Sequence, residues 1–381
     1  MLALDDGGSR GVVTLQILLR LERLLGRWYG QGGDFRLASF FDFVGGAGSG
    51  ALIAAGIARG VPVRDLLRCY RSLVPTTFSS RLQDRCRSLY APGPVLRALH
   101  SLYGEEARLA SECLQTLALL VMRDAQGQAC LMLSQPDALG VAVSPYTGFE
   151  GYLWQLARAS LADDDFALPE PIQGASSEPG KVVSVCSGRA TPYANPAFLM
   201  AQTAIASPSP IGWGRGEREL LVVSVGAGTL PWGDQRDDVD PVPLTDAQRA
   251  LRAMLAQTHR DQDRSCRVMG RCVHGPVVRP ETGDRVPRDA SGHRIALDRD
   301  LGRGFLYARY DEVLTRDWLR KVGLEDIDPL GIAALEGSLR VESLDRIGRA
   351  LAESVELDHF GAFLDAPLWL EQSAGALEAS A

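Results

Sequence analysis

Lysine is nearly absent from this chain. Of 40 basic residues only Lys181 and Lys321 are lysines; the arginines that make up the rest are scattered, not clustered, a pattern that reads as genome composition. A formal net charge of -7 argues against a nucleic-acid partner bound through a basic surface, and none is expected. Long apolar runs are missing too. The longest, such as "ALIAAGIA", falls far short of the roughly 20 residues that span a bilayer, so no transmembrane segment is expected. The opening "MLALDDGG" has neither the positive region nor the apolar core of a secretory signal. The seven cysteines (Cys69, Cys86, Cys113, Cys130, Cys186, Cys266 and Cys272) are odd in number and irregularly spaced. That argues against a disulfide framework and for reduced thiols and a cytoplasmic location. The five histidines (His100, His259, His274, His293 and His359) are expected to be surface or structural residues. Cys266, Cys272 and His274 lie close in "CRVMGRCVH", but the spacing fits no zinc motif and a fourth ligand is not evident, so packing roles and no metal are expected.

What is present is an ordinary globular composition, 46% hydrophobic and 23% charged, over 381 residues. That length suits one large domain with an appendage, or two domains. Strand and helix patterns alternate. "LAL" (Leu2 to Leu4) is a short strand, and Val12 to Trp28 carries apolar residues at helical spacing. Phe41 to Gly45 reads as a buried strand, Ser49 to Arg59 as a helix, and Pro62 opens another. "TLALLVMRD" and "ACLMLS" read as paired strands, and "VVSVCS" and "LLVVSVGAG" as strands buried on both faces. This alternation predicts an α/β sandwich on a mostly parallel sheet. The texture changes after about residue 235, at the polar, proline-containing "DQRDDVDPVP". Two units are therefore expected, an α/β domain over 1–235 and a mainly helical region over 236–381 packed on or beside it. In the second, a helix is expected over Asp246 to Gln257, an irregular stretch over Asp261 to Asp300, and helices near Asp317, Leu330 and Leu344.

The chemistry-bearing feature is the loop "DDGGSRG" between the first strand and the first helix. Gly7, Gly8, Ser9, Arg10 and Gly11 place backbone N–H groups at a helix N-terminus, where an anion can be held. The loop matches neither the phosphate-binding P-loop nor the dinucleotide fingerprint, because Asp6 stands where a first glycine is needed, and no cofactor is expected.

Taken with four further segments, the loop resembles the patatin-like phospholipase family, bacterial members included. "LALDDGGSRGVVTLQIL" is similar to the family's D-G-G-G-x-R-G opening. "FDFVGGAGSGALIAAG" resembles its nucleophile turn, and "LWQLARASLADDDF" the helix and lip before its acid loop. "SGRATPYANPAFLMAQTA" resembles the acid loop itself, and "GERELLVVSVGAG" the strand that follows. The resemblance covers roughly residues 1 to 232. It implies a three-layer α/β/α acyl-hydrolase fold and hydrolysis of lipid acyl esters by a Ser–Asp dyad. The serine would sit on a strained strand-to-helix turn, with the glycine loop stabilising the oxyanion.

The same register shows departures at each working position. Gly46 and Gly50 take the outer glycines of G-x-S-x-G, so Gly48 falls on the nucleophile and Ser49 comes one residue late. Ser187, followed by Gly188 and Arg189, falls on the acid. Asp163, Asp164 and Asp165 occupy the pocket lip, where carboxylates repel anionic phospholipid. Asp6 puts a negative side chain into the oxyanion loop, which opposes catalysis unless it points away. The resemblance therefore implies a family scaffold with a degenerate dyad, acting by binding. Its partners would be a lipid or acyl ligand, an active homologue, or a second copy of itself. The alternative is an active lipid acyl hydrolase with Ser49 as a shifted nucleophile. By sequence alone, Gly48→Ser with Ser187→Asp would rebuild the dyad.

Overall fold

The computed structural model describes residues 1–78, 93–109, 112–134, 151–161, 170–173, 182–205, 211–230, 246–276, 303–328 and 337–364. Strand β1 (Leu2–Leu4) leads into α1 (Gly11–Trp28); β2 (Phe43–Ala47) leads into α2 (Ser49–Ala58), followed by α3 (Val63–Thr77) and α4 (Pro94–Tyr103). A hairpin, β3 (Leu117–Asp124) and β4 (Ala129–Leu133), precedes α5 (Leu153–Leu161). Then come β5 (Glu170–Gln173), β6 (Val182–Ser187), α6 (Ala197–Ile205) and β7 (Leu221–Val225). The chain closes with α7 (Asp246–Met269), β8 (Arg271–His274), β9 (Leu306–Tyr310), α8 (Arg316–Lys321) and α9 (Gly337–Ala352).

Among the described residues, nine strands form one sheet, hydrogen-bonded in the succession β5-β6-β3-β2-β1-β7-β9-β8; β2 and β6 meet successive parts of one edge of β3 and β4 pairs with the other. The centre is parallel, and antiparallel pairing is confined to β3–β4, β3–β6 and β5–β6. Alternation along the strands builds two cores. Leu2, Leu4, Val223, Val225, Leu306 and Ala308 point into one, against α1, α2, α3 and α9. Ala3, Val222 and Tyr307 point into the other, against α6 and the end of α7. A sheet covered on both faces explains why its strands are continuous apolar runs with no polar face.

Three differences from the sequence reading have physical causes. β2 runs two residues past Gly45, up to Ala47. Its glycines are strand residues because neighbours approach closely: a Cβ on Gly45 would press on Met200, and one on Gly46 would overlap the backbone of Gly50. α7 continues to Met269, into the start of the stretch expected to be irregular, and β8 follows it. Its turns there are marked by ion pairs, Asp261–Arg264 and Asp263–Arg267, at i,i+3 and i,i+4 spacing, which hide a helix from apolar periodicity. β9 is a strand that no continuous apolar pattern announces, because Arg309 interrupts its run.

The boundary expected near residue 235 falls outside the described residues. Beyond it the chain supplies β8 and β9 to the central sheet, while α9 lies along α1. The helices expected near Asp317 and Leu344 are α8 and α9; the one near Leu330 falls outside the described residues. No helix among the described residues is long and apolar enough to cross a membrane.

The segment Leu357–Leu364 docks on β8 and β9 through His359, which meets His274 of β8 and Tyr310 of β9. The rings of His274 and His359 stack at 4.4 Å, and Tyr310 Oη lies 3.0 Å from His359 Nδ1. Burial lowers both imidazoles below their ordinary value of 6.5. His274 is pushed further by His359 and Arg267 against Glu356, and His359 is partly held up by Glu356 and Asp358. The neutral forms belong to the fold, while the unfolded chain takes up protons below about pH 6.5. Stability from this pair is thus full above that pH and is lost as pH falls through the depressed native values. Melting temperatures at pH 7.5 and 5.5 should show a smaller drop in His359→Gln than in the wild type. Equal drops would mean the pair does not titrate with folding.

Candidate active site

The glycine loop, the turn after β2 and the loop after β6 meet at the C-terminal edge of the sheet. Gly48 links β2 to α2 with φ 51° and ψ −126°, a backbone that glycine adopts readily and a side-chain residue only under strain. The flanking glycines make so sharp a turn sterically feasible, since a Cβ on Gly50 would overlap the Leu4 carbonyl. This is the geometry of a nucleophile elbow with no side chain at its tip.

The space above Gly48 is filled by Asp6. A Cβ built on Gly48 would overlap the Asp6 carboxylate. Oδ1 of Asp6 accepts the Ser49 N–H at 3.0 Å and the Gly8 N–H at 3.2 Å. Oδ2 lies 3.6 Å from Arg189 Nε, and the Asp6 side chain is 9% exposed. The backbone of Asp6 donates to the Ala194 carbonyl at 2.9 Å, which ties the glycine loop to the loop after β6. N–H groups of the kind that would stabilise an oxyanion are therefore already satisfied by an internal carboxylate.

Ser49 is the first residue of α2 and is 2% exposed. Its Oγ accepts the Gly7 N–H at 2.9 Å and donates to Asp6 Oδ1 at 3.3 Å. Ser187 ends β6, buried, and its Oγ accepts the Arg189 N–H of its own turn at 3.3 Å. Strand register brings it to the elbow. β4 takes one edge of β3 along Leu119–Arg123, so β2 and β6 share the other. Ala47 sits opposite Val121 there and Ser187 opposite Met122, the next residue. Gly8, Ser9 and Arg10 form a single 3₁₀ turn, and Gly11 begins α1. Arg10 Nε donates to the Gly228 carbonyl at 3.0 Å and so anchors the loop to the segment that follows β7. Asp163, Asp164 and Asp165 lie outside the described residues.

Sequence reasoning missed three residues that hold the site. Tyr70 on α3 donates to the Gly8 carbonyl at 2.6 Å, and burial raises its hydroxyl above the ordinary value. Arg309 on β9 grips Asp5 through two bonds, Nη1 to Oδ1 at 2.8 Å and Nη2 to Oδ2, and also reaches Asp311 at 2.8 Å and Ser224 at 2.6 Å. Burial works to raise the Asp5 carboxyl, but the charge and hydrogen bonds of Arg309, helped by His259, hold it below the usual range. Arg189 is the third. A signal for it was present, because a guanidinium appears at the acid loop where a carboxylate appears in the glycine loop. Tyr70 and Arg309 carry no motif, and only folding brings them to the loop.

No family profile matches the chain. Among curated proteins, a "cGAMP-activated phospholipase" of Escherichia coli (strain TW11681) is 31% identical over 114 residues, covering 28% of this chain and 31% of the relative. A "cUMP-AMP-activated phospholipase" of Escherichia coli is 41% identical over 98 residues, covering 24% and 28%. "Patatin-like protein 6" of Arabidopsis thaliana is 24% identical over 264 residues, covering 64% and 49%. The chain spans about a third of the length of these named phospholipases and about half of the plant protein. The similarity, at modest identity, supports the patatin-like phospholipase family, and the mostly parallel α/β sheet agrees with that fold.

Proposed function

We propose that this chain is a patatin-like acyl-hydrolase scaffold that has lost ester hydrolysis and acts by binding. One observation carries the reading: the Asp6 carboxylate lies where a nucleophile on Gly48 would project, and it occupies the N–H groups of Gly8 and Ser49. An ester carbonyl entering there would meet a negative charge, with the Gly8 and Ser49 N–H groups already taken by Asp6 and that of Gly7 by Ser49 Oγ. Gly48 has no nucleophilic group, and Ser187 cannot serve as a base near neutral pH. In this reading the protein works in the cytoplasm through a lipid or acyl ligand, an active homologue or a second copy of itself. The relatives named for activation by cGAMP or cUMP-AMP add a cyclic nucleotide to the ligands proposed for it.

A second reading draws on the 3.3 Å contact between Ser49 Oγ and Asp6 Oδ1, a serine paired with a carboxylate. Ser49 would be the nucleophile and Asp6 its base. Against it, Ser49 is buried and its Oγ already accepts the Gly7 N–H. Turnover of p-nitrophenyl butyrate and lysophosphatidylcholine by wild type and Ser49→Ala separates the two. Background rates in both proteins are expected. Turnover that vanishes in Ser49→Ala would establish the second reading instead.

A further inference from the structure

Away from the elbow, a cleft of about 670 Å³ opens between α3 and α9. That volume suits a small-molecule ligand. Three guanidinium groups converge on it, Arg71 from α3 and Arg346 and Arg349 from α9. They are not equally free. Arg346 spends both terminal nitrogens on Asp326, at 2.5 and 2.8 Å. Arg71 holds Asp345 side-on, through Nε at 3.1 Å and Nη2 at 2.7 Å, and its Nη1 makes no bond among the described residues. Asp345 is fixed from behind by Gln16 Nε2 at 2.8 Å, so Arg71 cannot swing away cheaply. Arg349 is exposed and has no partner among the described residues. The cleft thus keeps a preoriented N–H group on one wall and a whole guanidinium on the other.

The acceptors and the apolar surface narrow the ligand further. Pro75, inside α3, has no N–H to return to the carbonyl four residues earlier, which is that of Arg71. This leaves a helical carbonyl without its usual donor beside the cleft. The exposed Glu342 is a second acceptor at the rim. Pro75 and Val341 supply apolar contact between the charged groups.

We propose that this cleft binds a small phosphate ester of a polyol. The phosphate bridges Arg71 Nη1 and Arg349, the hydroxyl groups donate to Glu342 and the Arg71 carbonyl, and the carbon skeleton covers Pro75 and Val341. Arginine suits this task because its planar fork matches phosphate oxygens. A ligand that clamps α9 to α3 also acts next to Tyr70, whose hydroxyl holds the Gly8 carbonyl of the glycine loop. The proposal stands independently of whether the elbow hydrolyses esters. A ribose phosphate and a glycerol phosphate share the required chemistry, and the test separates them.

The experiment is calorimetric titration of the full chain at low ionic strength with AMP, glycerol 3-phosphate and inorganic phosphate, repeated on Arg349→Ala. At least one ester should bind at least tenfold more tightly than inorganic phosphate, and Arg349→Ala should weaken it at least tenfold with an unchanged melting temperature. Preference for AMP or for glycerol 3-phosphate identifies the source of the phosphate. Three results would overturn the proposal: no binding of any probe at millimolar concentration, inorganic phosphate binding as tightly as the esters, or undiminished binding by Arg349→Ala.

Discussion

Esterase activity should return to this scaffold only when three positions change together. Gly48→Ser supplies a nucleophile and Ser187→Asp a base one pairing step away on the same edge of β3. Asp6→Gly then clears the space and frees the Gly8 and Ser49 N–H groups. We expect the triple variant to hydrolyse a short neutral ester at least about 10²-fold faster than the wild type. That is a modest part of the ~10⁶-fold that a working serine contributes. By sequence the first two changes suffice only if Asp6 points away from the loop, and its position over Gly48 shows why they should not. With Asp6 in place, the Cβ of a serine at 48 would overlap its carboxylate. Gly48→Ser by itself should therefore cost about 1–3 kcal/mol from the positive φ, with the steric conflict added, and gain no activity. Urea denaturation and an esterase assay on the single, double and triple variants check the series. A double variant as active as the triple would mean that Asp6 moves aside freely.

The largest loss of stability should come from Arg309. It lies buried in β9 between Asp5 and Asp311, on the strand beside β7, and its single positive charge faces two carboxylates away from water. Burial would lower its pKa, but Asp5 and Asp311 outweigh that and hold it well above the ordinary value, so it stays charged. Arg309→Met removes the cation and leaves two buried carboxylates. Breaking such a pair from one side costs about 3–5 kcal/mol. Arg309→Lys should recover part of the loss, limited because an ammonium cannot serve Asp5, Asp311 and Ser224 with one planar fork. Midpoints of urea unfolding report both variants. A loss below about 1 kcal/mol in Arg309→Met would show that water reaches the cluster.

These two residues also mark what the sequence does and does not disclose. Leu2–Leu4, Val182–Ser187 and Leu221–Val225 were legible because a strand covered on both faces must be apolar throughout. The elbow was legible because its backbone demands glycines at fixed spacing. β9 was not, since Arg309 breaks its apolar run and the carboxylate that neutralises it lies 304 residues away. Asp6 was visible as an anomaly in the glycine loop, but its direction was not. Whether that carboxylate pointed to solvent or over Gly48 depended on the Ser49 and Gly8 N–H groups and on Arg189, which only the folded chain brings together.

Labelling with a fluorophosphonate, read by intact-protein mass spectrometry, tests most directly whether Asp6 has replaced a working serine. The probe carries its own electrophilic phosphorus and reacts with any serine that has an activated hydroxyl and an open oxyanion site. The wild-type chain should show no adduct under conditions that label an active patatin-like enzyme to completion. A stoichiometric adduct that maps to Ser49 and disappears in Ser49→Ala would contradict the account.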